Sequence, residues 1–234
     1  MYTLLKNSFE SLGHVFFPHL CLHCSEPIPS HRVFCHSCQT DLPESHFRTY
    51  RENSFTDRFF GRIPLHGAYC GFFLQTGSNL EKVLYQLKYQ DRPQIGVLLG
   101  RLVGQKMQQL PDWTPPDILV PVPLHPRKKH LRGYNQSASI AVGMQSVLHI
   151  PIDEQMLHRS VYTETQTAKG KMERQANVQG AFSLSKKGLA FEQKHILLVD
   201  DVLTTGATLE ACALRLLEIP NVQISLATLA MASF

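Results

Sequence analysis

The chain has 234 residues, of which 43% are hydrophobic and 18% charged, with a net charge of +4. That length suits one main domain with a small appendage, and the apolar share is enough for a sizeable core. So small an excess of positive charge excludes an obligate nucleic-acid binder read from composition alone, and no apolar run is long enough to span a bilayer.

The first predicted element is an amphipathic helix in which Leu4, Leu5, Phe9, Leu12, Phe16 and Phe17 alternate with polar residues. An export signal needs an unbroken apolar stretch and a small-residue cleavage site, so the expectation is a cytoplasmic protein with no membrane insertion. In that reducing compartment six cysteines point to metal or buried thiols rather than disulfides.

Cys21-Leu22-His23-Cys24 and Cys35-His36-Ser37-Cys38 form two C-x2-C pairs separated by ten residues. Two intervening residues let both sulfurs of a pair converge on one ion, and four thiolates complete the tetrahedron that zinc accepts. Pro27, Ile28, Pro29 and Ser30 supply turn chemistry between the pairs. Two disulfides, a redox dithiol or an iron–sulfur cluster are the competing readings, and His23 and His36 are read as solvated turn residues. Four thiolates leave no open coordination position, so structural Zn2+ would fold a segment too small for its own core.

Residues 41–62 are polar and mixed in charge, which reads as a linker or strap with a domain boundary near residue 60, giving units 1–60 and 61–234. A short strand is predicted over Ala68–Leu74 and a helix over Asn79–Tyr89 with Leu80, Val83, Leu84 and Leu87 on one face. A second helix covers Ile95–Leu110 and is closed by Pro111, a buried strand covers Asp117–Val122, and a third helix covers Gln136–Leu148. A weak strand at Ile150–Ile152 is followed by a long polar stretch, His158–Asn177. Strands at Val178–Leu184, His195–Val199 and Val222–Leu229 bracket a helix at Thr208–Ile219. Cys70 and Cys212 sit among apolar residues and read as buried thiols. Alternating apolar strands and amphipathic helices imply an α/β fold with a mostly parallel sheet flanked by helices, and ligands at the C-terminal strand ends.

The strongest motif is His195–Thr208. An apolar strand delivers adjacent acids, Asp200 and Asp201, and after Val202 and Leu203 the turn Thr204-Thr205-Gly206-Ala207-Thr208 opens a helix. Successive backbone N–H groups, hydroxyls and the helix dipole suit a phosphate, and Gly206 permits close approach. The acids suit the vicinal hydroxyls of a sugar, so the pair describes a ribose 5-phosphate. A capped helix would need only one such residue. A Walker loop would need a lysine after its second glycine.

This stretch resembles the phosphoribosyl pyrophosphate motif of type I phosphoribosyltransferases. The cysteine pairs, Leu87-Lys88-Tyr89, Val120–Pro126, Arg132-Gly133-Tyr134-Asn135-Gln136, Thr165-Gln166 and Arg174–Phe182 stand in the order seen in the ComF (GntX-like) family. The resemblance implies a zinc-binding module joined to a phosphoribosyltransferase domain, and a link to natural competence and the handling of single-stranded DNA.

On that reading Asp200 and Asp201 hold the 2′- and 3′-hydroxyls, and Thr204–Thr208 the 5′-phosphate. A basic loop with Arg127, Lys128, Lys129, His130 and Arg132 meets pyrophosphate together with Mg2+ bound through ligand oxygens and water. Lys88, Tyr134, Asn135 and Gln136 belong to the same side. The His158–Asn177 stretch would act as a lid, with Thr165, Gln166, Arg174 and Asn177 as its contacts. No nucleobase reader or catalytic base stands out beyond His125 and Tyr134, so donor binding and transfer are separate questions. Three functions follow: a competence protein that binds phosphoribosyl pyrophosphate or a related nucleotide and handles single-stranded DNA, a salvage or biosynthetic phosphoribosyltransferase, or a scaffold docking a helicase or other uptake factor.

Overall fold

The structure, a computed structural model, describes residues 19–29, 32–160 and 180–232. The expected N-terminal helix and the four lid residues Thr165, Gln166, Arg174 and Asn177 lie outside them.

Four strands form one parallel sheet: β1 (Gly67–Leu74), β2 (Ile118–Pro121), and two further strands at His195–Leu203 and Gln223–Ala232. Between the two pairs runs an antiparallel ribbon, Leu157–Arg159 with Phe182–Leu184, so these are β3 and β4, and the later sheet strands are β5 and β6. The sheet order is β1-β6-β5-β2, with every pairing parallel. Near-continuous apolar strands follow from coverage on both faces.

Side chains alternate across the pleat. Leu197, Val199, Ala227 and Leu229 face one core with Leu87, Leu99, Ile140 and Met144. These come from α3 (Asn79–Tyr89), α4 (Pro93–Met107) and α6 (Gln136–Leu148), which follow two short helices, α1 (His36–Thr40) and α2 (Ser54–Asp57), and are interrupted by α5 (Pro126–Arg132). Ile196, Leu198 and Leu226 face the opposite core with Phe55, Phe59 and the Leu209, Cys212 and Leu216 of α7 (Ala207–Leu216). Cys70 and Cys212 are fully buried and unbonded.

The α4–α6 seam depends on glycine. A Cβ on Gly100 would lie 2.2 Å from the Ile140 carbonyl oxygen, and one on Gly143 would lie 2.0 Å from that of Val97. Only the absence of side chains lets the two backbones touch.

Five elements differ from the sequence reading. Leu157–Arg159, whose last two residues open the expected lid, is a strand because it pairs with Phe182–Leu184. The supposed linker at 41–62 contains α2, with an Asn53 capping box, and contributes fully buried Tyr50, Phe55 and Phe59, so its few aromatics outweigh its polar composition. The basic loop after β2 is the helix α5, begun by Pro126 with the His125 ring as cap and ended by Gly133 at φ 81°; proline at the first position and glycine past the last are its start and stop signals. At 150–152 there is only a single bridge, Ile152 to Leu119. β5 runs on past Val199 to Leu203 because β6 continues to pair with it, up to Leu203↔Met231.

Candidate functional site

A cavity of about 520 Å³ opens where β1, β2 and β5 end, bounded by α3 and by the start of α6. Asp200 and Asp201 lie in it at the end of the apolar run of β5. Asp200 Oδ1 accepts from Ser137 Oγ at 2.9 Å and from the backbone N–H of Asp201 at 2.9 Å. Asp201 Oδ2 faces Lys88 Nζ at 3.0 Å.

Burial pushes the Asp200 carboxyl up to about 7, and the charge of Asp201 adds to the rise; the Asp201 N–H, Ser137 and Lys88 oppose it. For Lys88 burial acts downward, but the neighbouring Asp201 wins and its pKa is raised. A carboxylate offers about four lone-pair sites, so these contacts leave acceptor capacity on both acids for a vicinal diol.

The following turn divides its labour. Val202, Thr204 and Thr208 line the cavity. Leu203 is buried, the Thr205 hydroxyl accepts from Ala207 N at 3.4 Å, and Gly206 takes φ 82° at the start of α7. Gly206 at the N-cap has no side chain to cap α7, so beyond the Ala207 N–H held by Thr205 the first turn presents its backbone N–H groups and positive dipole end to an anion.

The turn is braced from the 41–62 segment, a role that its composition hid. Arg58 donates through Nη1 to the Thr204 carbonyl at 3.1 Å and through Nη2 to that of Ala232 at 2.8 Å. Arg62 pairs with Glu210 of α7, and the Phe59 ring lies under Gly206.

On the opposite wall Arg132 donates to Gln136 Oε1 at 2.6 Å, and its guanidinium lies 5.4 Å from the Tyr89 ring centre. Asn135 is spent on structure: Nδ2 holds the Val122 carbonyl at 3.0 Å and Oδ1 caps α6 through Ser137 N at 3.2 Å. All three residues line the cavity. Tyr134 donates its hydroxyl to the Leu87 carbonyl, and neither it nor Arg127 is among the lining residues. Ser137, Arg159, Glu81 and Tyr85 also line it and were missed. For Tyr85 the signal was its position one turn before Tyr89; Ser137 and Arg159 left no local mark.

The four motif cysteines converge, with their sulfurs all within 4.8 Å of one another and those of Cys24 and Cys35 3.6 Å apart. Thiolates about 2.3 Å from a tetrahedral ion stand roughly 3.8 Å from each other, so this set fits a metal ion. The module shares its core with the main domain: Cys21, Val33 and Phe34 pack in the cluster that holds Leu87 and Ile95. Gln86 of α3 also donates to the Leu22 carbonyl at 3.4 Å. Among the described residues no helix is long and apolar enough to cross a membrane.

A parallel sheet ending in paired acids and a helix that starts from glycine defines a phosphoribosyltransferase-type domain, and residues 135–232 match the phosphoribosyl transferase domain family. The chain is 33% identical over 214 residues to the DNA utilization protein YhgH of Escherichia coli K12, covering 85% of this chain and 84% of that one. It is 25% identical over 231 residues to Competence protein F of Haemophilus influenzae, covering 89% and 96%. To Competence protein ComFC of Bacillus subtilis it is 34% identical over 101 residues, covering 43% and 38%. The chain belongs to the ComF family.

Proposed function

We propose that this chain serves DNA uptake, the role that the names of its relatives indicate, by binding phosphoribosyl pyrophosphate or a related nucleotide and handling single-stranded DNA in the cytoplasm. The observation that carries the reading is the adjacent pair Asp200–Asp201 beside the start of α7 at Gly206. Asp200 and Asp201 take the ribose diol, and Val202–Thr208 the 5′-phosphate. Lys88, Arg132 and Gln136 face the pyrophosphate, with Mg2+ shared through ligand oxygens and water. Asn135 and Tyr134 fix the α6 and α3 walls, Arg127 adds charge from α5, and Thr165, Gln166, Arg174 and Asn177 close over the ligand. Zn2+ on Cys21, Cys24, Cys35 and Cys38 holds the N-terminal module, which would also dock a helicase or another uptake factor.

Asp200→Ala/Asp201→Ala tests this. Losing charge-assisted hydrogen bonds of about 1.5–3 kcal/mol each should weaken phosphoribosyl pyrophosphate by at least about tenfold per carboxylate in titration calorimetry with Mg2+, and transformation frequency should fall with it. Unchanged transformation alongside lost binding would separate the pocket from DNA uptake.

One observation favours transfer to a small acceptor as a second reading: an Asp200 carboxyl near 7 can exchange a proton at neutral pH. Pyrophosphate release that requires a particular base and vanishes in Asp200→Asn/Asp201→Asn is the outcome that supports it.

A further inference from the structure

Tyr85 and Tyr89 stand one turn apart on α3, their ring centres 4.9 Å apart and tilted by 44°. They keep 58% and 60% of their surface exposed, although both border the cavity that holds the acids. Two large rings presented together to water are costly unless something covers them. Arg132, which also borders the cavity, lies over the Tyr89 ring at 5.4 Å, and Lys88, one residue before Tyr89, reaches inward to Asp201. One turn of helix thus joins the aromatic rim to the sugar-binding acids.

The charge beside this rim favours a polyanion. α5 carries Arg127, Lys128, Lys129 and Arg132 with no acid among its seven residues, and its Leu131 is 80% exposed. Burial lowers the Lys128 pKa, and the neighbouring charges of Arg159 and Arg132 add to the fall. A duplex hides its base faces by stacking, whereas a single strand offers both a base face and a run of phosphates.

Resting on the single-strand part of the proposed function, we infer that Tyr85, Tyr89 and Arg132 form a stacking subsite for an unpaired nucleobase of a DNA strand whose phosphates lie along α5. Tyr134, with its hydroxyl committed to the Leu87 carbonyl, takes no part.

Fluorescence anisotropy with labelled oligothymidine of about 12 nucleotides, within the usual site size, and an abasic strand of equal length tests the subsite. Tyr85→Ala/Tyr89→Ala should bind oligothymidine about tenfold or more weakly and the abasic strand as the unaltered protein does, while Tyr85→Phe/Tyr89→Phe keeps the wild-type affinity. Both rings are exposed, and an unchanged melting midpoint excludes loss of fold as the cause. Equal affinities for the alanine and wild-type proteins, or an equal loss on both strands, overturn the subsite alone. A wild-type protein that binds neither strand overturns the single-strand reading as well. Thymidine monophosphate competing as strongly as the oligomer would make the occupant a free nucleotide and overturn the choice of a strand.

Discussion

Asp200 pays for its position in the cavity with its charge state. Its carboxyl titrates near 7 in the folded chain, with burial the main cause, against about 3.9 in an unfolded one. The folded state therefore holds the proton more tightly, and the stability this contributes is complete below about pH 4 and lost as pH rises through about 7. Asp200→Asn should accordingly melt above the wild type at about pH 8, by roughly 2–4 °C for each kcal/mol relieved, with the advantage vanishing toward about pH 4. Scanning calorimetry across that range checks it, and a difference independent of pH would show that the carboxyl carries no such cost. Stability gained and donor binding lost in one variant is the exchange expected where a group is held for binding rather than for folding.

At the scale of elements, the turn between β5 and α7 is set by a backbone angle and by a neighbour. Gly206 sits at φ 82°, and a Cβ there would lie 2.9 Å from Phe59 Cζ. Gly206→Ala should cost about 1–3 kcal/mol, seen as a lower melting midpoint with weaker donor binding; a wild-type midpoint would mean that the turn can shift at no cost. What was legible in the sequence follows from the same physics. α3 and α6 match their predicted spans because apolar spacing and the caps Ser78 and Asn135 are local signals. α2 and α5 are too short for periodicity to mark, and three-dimensional packing made the 41–62 segment part of the core. Asp200, Asp201 and the turn are contiguous and could be read directly. Ser137 and Arg159 arrive from distant elements, which sequence order does not encode.

At the scale of the molecule, the cysteine module and the cavity meet on α3, which donates from Gln86 to the Leu22 carbonyl of the module and sends Lys88 to Asp201. Because Cys21, Val33 and Phe34 share a core with Leu87 and Ile95, removing metal with a chelator, or Cys21→Ala, should lower the midpoint of a single cooperative transition by several degrees, on the order of 2–4 °C per kcal/mol lost. Two separate transitions in the calorimeter would instead mean that the module folds by itself. The sheet order has a consequence of its own. β5 is hydrogen-bonded to β2 through Pro121↔Val199 on one edge and to β6 as far as Leu203↔Met231 on the other. Its amides should be among the last to take up deuterium, exchanging only when the whole sheet opens, and in urea the ability to hold a donor should disappear on the same curve as the structure itself.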